Sequence, residues 1–149
     1  MAQTTTAINA CDVVVSLDNV SGTLTDISGS SNEVSMDLGQ NIGEIATFDG
    51  DWMLKASCGK TVSVSLNVVY TTTADEGLDI LRDWFFATSP GSRTVQIDVP
   101  DSTAGSDRYS GEFVIESLNI PLTAGEASPV LVSATLSNDG AFAHSTITT

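Results

Sequence analysis

Residues 61–70, TVSVSLNVVY, alternate apolar and polar side chains along ten positions. Successive side chains of an extended chain point to opposite faces of a sheet, so the two kinds of residue separate. One face carries the larger apolar residues Val62, Val64, Leu66, Val68 and Tyr70, and the other carries Thr61, Ser63, Ser65, Asn67 and Val69. The stretch predicts a strand with one face in a hydrophobic core and the other face in water.

The same pattern predicts further strands on both sides of this one, over residues 11–17, 24–28, 33–38, 93–99, 109–120 and 130–136. One helix is predicted over residues 74–87, since Thr73 and Glu76 have the spacing of a capping box. Leu78, Leu81 and Phe85 form its apolar stripe with Ile80 and Trp84 beside it, and Trp84 and Phe85 are expected in the core.

These elements predict a mainly β fold, an antiparallel β-sandwich or partial barrel with one α-helix packed across it. The predicted domain covers residues 11–140, between a polar N-terminal arm, 1–10, and a polar C-terminal arm, 141–149. Residues 39–60 contain four glycines and lose the alternation, so they are predicted to form a long loop with Asp49, Asp51 and Trp52 at its tip. Loops of this length are usually functional in a compact domain.

Acidic side chains are spread singly along the predicted strands. The 149 residues include 19 Asp and Glu against 5 Lys and Arg, a formal net charge of −14. Such surfaces repel nucleic acid, and the scattered basic residues form no patch that would bind it. The composition suits a protein that lets DNA pass without binding it, but equally a protein from a saline habitat.

The chain has few residues suited to catalysis or metal binding. The only histidine, His144, lies in the predicted C-terminal arm, where nothing is expected to hold it for catalysis. Cys11 and Cys58 are far apart, so a zinc site is implausible and two buried, reduced thiols are expected. We therefore expect no enzymatic activity, no cofactor and no metal.

Two ligand sites remain open within the predicted loop. Asp49 and Asp51, with Glu44 nearby, could offer oxygen ligands to calcium, although two aspartates flanking a glycine more often form a turn. Trp52 could stack on a sugar, anchor a protein contact or fold back onto the domain.

No apolar run is long enough to span a membrane, and no signal peptide is readable at the N-terminus, so synthesis in a cytoplasm and no membrane partner are expected.

The order of these elements resembles that of the tail tube (major tail) proteins of long-tailed bacteriophages, the siphophage type. The resemblance covers residues 11–139 and rests on element order and pattern. The matching segments are TVSVSLNVVY (61–70) followed by TADEGLDIL (73–81), TVQIDVP (94–100), YSGEFVI (109–115) and SATLSNDG (133–140).

The resemblance implies a structural virion protein whose hexameric rings stack into a tube for genome passage. Its partners would be copies of itself and the tail tape-measure, terminator and tail-tip proteins, in the virion after assembly in the host cytoplasm. Loop 39–60, with Glu44, Phe48, Asp49, Asp51 and Trp52, would reach the adjacent ring, and the arms would bridge subunits. Because a like-charged wall binds DNA weakly, we expect five acids of the polar strand faces to line the bore: Glu33, Asp37, Asp98, Glu112 and Glu116.

Two other functions stay open. A tail terminator, head-tail joining or decoration protein could be built on a similar sandwich. A carbohydrate- or calcium-binding module would need Trp52 or the Asp49 and Asp51 pair exposed at a ligand site.

Overall fold

The computed structural model describes residues 6–125 and 127–149. Residues 6–9 have no regular structure and lead into a short 3-10 turn, Ala10–Asp12, while residues 1–5 of the predicted arm lie outside the described residues. The elements that follow are β1 (Val14–Asp18), β2 (Leu24–Asp26), β3 (Ser31–Ile45), β4 (Leu54–Val69), α1 (Gly77–Phe86), β5 (Arg93–Val99), β6 (Asp107–Asn119) and β7 (Leu131–Thr146).

All seven strands belong to one antiparallel sheet in the order β2-β1-β5-β6-β7-β4-β3. The sheet is not closed, so β2 and β3 are its two edges. Val15 of β1 and Met36 of β3, far apart in strand order, nevertheless line one cavity of about 470 Å³. The sheet therefore curls into a partial barrel, and the predicted mainly β, antiparallel architecture with one helix is confirmed.

The core lies on the concave face of this sheet. Val62, Val64, Leu66 and Val68 of β4 are buried there, as the alternation of residues 61–70 predicts. The single α-helix of the described residues covers them, and it buries Leu78, Ile80, Leu81 and Trp84. Burying an apolar side chain of this size stabilises the fold by about 1.5–3 kcal/mol. One face of the sheet thus holds the protomer together and leaves the other face for solvent or for partners.

The start of α1 differs from the prediction. Its N-cap is Glu76, so the predicted capping box at Thr73 is wrong. The Gly77 amide instead donates to the Ser30 hydroxyl at 3.0 Å, and a Cβ on Gly77 would lie 2.8 Å from Val68 Cγ1. The partner of the Gly77 amide is therefore a residue distant in sequence, which local spacing cannot reveal.

The expectation for Phe85 is also wrong, because its ring is 42% exposed and contacts exposed Phe86 edge to face.

The predicted long loop over residues 39–60 is largely strand. β3 continues to Ile45, β4 begins at Leu54, and they pair from Ile45 and Leu54 down to the sheet, with a bulge between Gln40 and Ile42. From here on, the arm means residues 39–61 and not the predicted terminal arms. Residues 46–53, which have no regular structure, are its tip. β4 pairs with β7 only over Ser63–Val69, so the arm extends past the sheet as a two-stranded ribbon.

The predicted C-terminal arm, residues 141–149, is strand as far as Thr146. Asn138-Asp139-Gly140, which follow the predicted strand 130–136, do not end β7 but lie at a bulge, where β7 passes from its pairing with Phe113 to its pairing with Gly111. Gly140 has a φ of +108°, a conformation that glycine adopts without strain. The bulge lets β7 continue along β6 after it has separated from β4.

Within the described residues, we find no helix of the length and apolar character needed to cross a membrane.

Candidate assembly surfaces

Four of the five acids expected to line a bore share the convex face of the sheet. Partners across antiparallel strands point to the same side, and Glu33 and Asp37 of β3 pair with Asn67 and Ser63 of β4. The same side continues through Ser137 of β7 into β6 and β5. We call this surface the polar face; it comprises Glu33, Ser35, Asp37, Ser63, Ser65, Asn67, Thr94, Glu112, Glu116, Ser133, Thr135 and Ser137.

Neighbouring side chains hold three of these exposed carboxylates in place. Asn67 Nδ2 donates to Glu33 at 3.0 Å, Thr94 Oγ1 donates to Glu112, and Ser137 Oγ donates to Glu116 at 2.6 Å. All three donors are neutral, so the carboxylates keep their net negative charge. The polar face is therefore an acidic, hydroxyl-rich surface, and Arg108, on the same side of β6, is bound to Asp98.

Asp98, the fifth expected acid, departs from the prediction. It lies opposite Arg108 in the pairing of β5 with β6, and it is only 1% exposed. Arg108 Nε and Nη2 donate to its two carboxylate oxygens at 2.8 and 2.9 Å, and Ser102 Oγ donates at 2.8 Å. A buried carboxylate bound by a guanidinium offers no free charge to a bore, so the expectation for Asp98 is wrong.

Burial by itself would raise the pKa of the Asp98 carboxyl, but the hydrogen bonds from Arg108 and Ser102, with the charge of Arg108, bring it below its usual value. A lowered folded-state pKa adds stability above the unfolded-state pKa of about 4, and this stability disappears as the pH falls through the folded-state pKa. The ion pair thus stabilises the protomer at neutral pH.

We predict that Asp98→Asn lowers the free energy of unfolding at pH 7 by about 3 kcal/mol, because it leaves Arg108 without its charged partner. Urea unfolding from pH 7 to pH 3 measures the effect. The variant should also lose part of the wild-type decline in stability below about pH 4. Asp12→Asn, at an exposed position of the 3-10 turn, is the control; equal losses from both substitutions would contradict the role of the pair.

The tip of the arm exposes large apolar side chains. Phe48 is fully exposed and Trp52 is 86% exposed, so Trp52 does not fold back onto the domain. Ile45 and Leu54, register partners just below the tip, are also exposed. Large apolar side chains exposed in one short segment are typical of an interaction site in soluble proteins.

Of the five residues expected in the inter-ring loop, Phe48, Asp49, Asp51 and Trp52 lie in the tip, whereas Glu44 lies in β3. Glu44 Oε1 forms an ion pair with Lys55 Nζ at 2.8 Å, and this contact connects the two strands of the ribbon. Among residues 6–125 and 127–149 no group of three or more acidic, His or Cys side chains could hold a metal ion. Glu44, the third oxygen donor of the calcium alternative, is paired with Lys55.

The histidine and both cysteines lie in surroundings that the sequence did not predict. His144 is in β7, with Nε2 2.9 Å from Asp107 Oδ1 and its ring 5.1 Å from that of Tyr109, so the expectation that nothing holds it is wrong. Cys11 and Cys58 are free thiols, but both are exposed instead of buried. Cys58 is exposed because it lies on the arm, which has no core of its own.

The described residues thus form an open sheet with an acidic convex face and an exposed apolar arm. The chain belongs to the phage tail tube protein family, whose model matches residues 7–144. It is thus a structural protein of a phage tail, and the family resemblance is confirmed.

Solved structures of similar fold come from phage-like particles. The tail of an empty gene transfer agent (GTA) particle, with C6 symmetry, matches with a TM-score of 0.73 and 17% identity over 93% of this chain and 99% of that chain. The SPP1 tail tube matches with a TM-score of 0.74 and 13% identity over 95% and 80%, respectively. The tube-terminating cap of the anti-feeding prophage matches with a TM-score of 0.74 and 12% identity over 99% and 96%.

No curated protein sequence matches this chain significantly.

Proposed function

We propose that six copies of this protein form a ring, that rings stack into the tail tube, and that the polar face of each copy lines the bore. The subunit is then a wall for genome passage and has no enzymatic activity. Its partners are copies of itself and the tail tape-measure, terminator and tail-tip proteins. It would assemble in the host cytoplasm and remain in the virion.

The observation that carries this proposal is the common orientation of Glu33, Asp37, Glu112 and Glu116. They come from two strands far apart in the chain, β3 and β6, yet all project from the face opposite the core. A carboxylate and hydroxyl surface makes no strong contact with phosphates, so DNA can move along it with little retention. The sixfold symmetry of the GTA tail supports six copies per ring.

The free strand edges give a second line of support. β3 is a fifteen-residue edge strand, and an exposed edge of this length tends to pair with another chain. Joining edges of neighbouring copies around a ring removes this exposure and closes the sheets into a barrel. Acidic residues on β3 itself, Glu33 and Asp37, oppose the alternative of uncontrolled edge pairing.

Electron microscopy of the purified protein tests the proposal. We expect hollow tubes with sixfold end-on views. Closed single rings that do not stack would favour the terminator alternative, and monomers that bind a glycan would favour the carbohydrate-binding module.

A further inference from the structure

A second apolar surface lies at the base of the arm, where β4 and β7 separate. The Val62 amide donates to the Asn138 side-chain oxygen at 2.9 Å, and there the pairing of the two strands ends. Beyond this point β7 follows β6 and β4 follows β3. The separation opens a cleft of about 470 Å³. The residues that line it include Leu38, Lys60, Tyr109, Ala141, Phe142 and His144.

Aromatic rings form one wall of the cleft. Tyr109 and Phe142 stack with their centroids 6.3 Å apart, and Phe142 meets the buried ring of Phe113 edge to face at 5.7 Å. The bulge in β7 sets the position of Phe142, and a Cβ on Gly111 would lie 3.0 Å from its ring. This wall is thus rigidly supported by the core.

Lys60 contributes a positive charge at the rim. Three of the five basic residues make ion pairs with Glu44, Asp79 and Asp98, and Arg93 lies over the ring of Trp84. Lys60 alone makes neither kind of contact within the part of the chain that the structure describes. An unpartnered cation beside an aromatic wall, in a protein of net charge −14, is suited to an acidic and aromatic partner.

The tip has those properties. It presents Phe48 and Trp52 beside Asp49 and Asp51, all exposed. We propose that the cleft of one copy receives the tip of another copy, with Phe48 and Trp52 packed on Tyr109 and Phe142, and with Asp49 or Asp51 paired with Lys60. Aromatic anchors in a supported cleft are typical centres of protein interfaces.

The tip cannot fill the cleft of its own copy. Lys60 lies at the base of the same arm and Leu38 directly precedes it, and the ribbon runs extended from there to the tip. About six strand residues separate the two, roughly 20 Å at 3.3 Å per residue. The two surfaces also differ, so the contact is head to tail and can repeat from one ring to the next, as stacking requires. The inference rests on the proposed tube, because stacking is what brings a tip to a neighbouring copy.

Mixed-variant cross-linking tests the contact. In a background with Cys11→Ser and Cys58→Ser, one preparation carries Thr47→Cys in the tip and a second carries Ala141→Cys in the cleft. After co-assembly, a short bismaleimide should join the two variants into a dimer. Ser89→Cys, exposed in the loop after α1, replaces Ala141→Cys in the control and should give no dimer.

A charge exchange tests it independently. Lys60→Glu and Asp51→Lys should each raise the protein concentration needed for tubes by about tenfold, and the double variant should restore the wild-type value. Arg82→Glu makes the same change in net charge on α1 and should have little effect.

Failure of the inference can be told from failure of the proposed function. If the wild-type protein forms no tubes, the tube proposal is wrong. If it forms tubes, but Thr47→Cys does not cross-link to Ala141→Cys and Lys60→Glu assembles normally, the tip binds elsewhere and the inference is overturned. The same two negative results are expected if a strand of another copy, and not its tip, occupies the cleft.

Discussion

The double variant Phe48→Ser, Trp52→Ser will remain a folded protomer and will not form tubes. Neither side chain contributes to the buried core, since both are almost fully exposed in the protomer. Replacing exposed residues outside the core changes the free energy of unfolding by no more than about 0.5 kcal/mol. The stability of the isolated protomer should therefore not change within that margin.

The expected loss in assembly is large because two aromatic side chains are removed from the interface at the same time. Burying one large apolar side chain is worth about 1.5–3 kcal/mol, so each subunit loses about 3 kcal/mol or more per contact. Since about 1.4 kcal/mol corresponds to a factor of ten, the concentration needed for tube formation should rise at least a hundredfold. Sedimentation of assembled protein over a concentration series, with electron microscopy of the pellet, measures this change.

The control is a pair of equally drastic substitutions elsewhere on the surface. Val20→Ser and Leu122→Ser remove side chains that are each 74% exposed, but they lie outside the arm. They should leave the assembly concentration within a few-fold of wild type. Normal tubes from the Phe48→Ser, Trp52→Ser variant would show that the tip does not connect rings.

The clean two-residue alternation explains which strands were predictable. β5 spans Arg93–Val99, as predicted, because its alternation is unbroken and Pro100 follows it directly. The strand predicted over residues 61–70 is also real, and so is its division into a buried and a polar face. Where one face of a strand enters a core, the local pattern already contains the information about orientation.

The arm and the end of β7 were missed for a physical reason. Beyond the sheet a ribbon has no core to face, so selection for alternation is absent and glycines such as Gly39 and Gly43 occur within the strand. A two-stranded ribbon alone is only marginally stable in water. The ribbon must therefore be stabilised by cross-strand contacts such as Glu44 with Lys55 and by contacts with partners. A local sequence pattern shows neither kind of contact.

Burial of Asp98 was likewise outside the reach of the sequence pattern. Its side of the strand is predictable from alternation, but its partner depends on the register that places Arg108 opposite it. The same holds for the cleft, which depends on where β4 leaves β7. Local physics therefore predicts the faces of this protein, and long-range register decides which residues on those faces are free.

The acidity of the chain is not confined to the polar face. Asp79 and Asp83 lie on α1, which covers the opposite side of the sheet, and Asp12 lies in the 3-10 turn. A general adaptation to salt predicts that acids in all these places are equivalent. A bore predicts that only those of the polar face act on DNA. A comparison of matched substitutions at the two kinds of position separates these explanations.

Glu112→Lys combined with Glu116→Lys will permit tubes to assemble and will make them retain DNA. Each substitution adds two charges, so the net charge of a subunit changes from −14 to −10, and the added lysines would face the bore. Lysine–phosphate contacts release counterions, so retention should be strong at 50 mM salt and fall by orders of magnitude toward 200 mM salt. In a phage that carries the variant, genome ejection should be slowed in the same salt-dependent way.

Retention of a short fluorescent duplex by purified tubes measures the first effect, and ejection kinetics measure the second. Asp12→Lys with Asp83→Lys makes the same change in charge away from the polar face and should retain little DNA. Equal retention by the two double variants would mean that the polar face does not line the bore, and that the acidity of this protein has another cause.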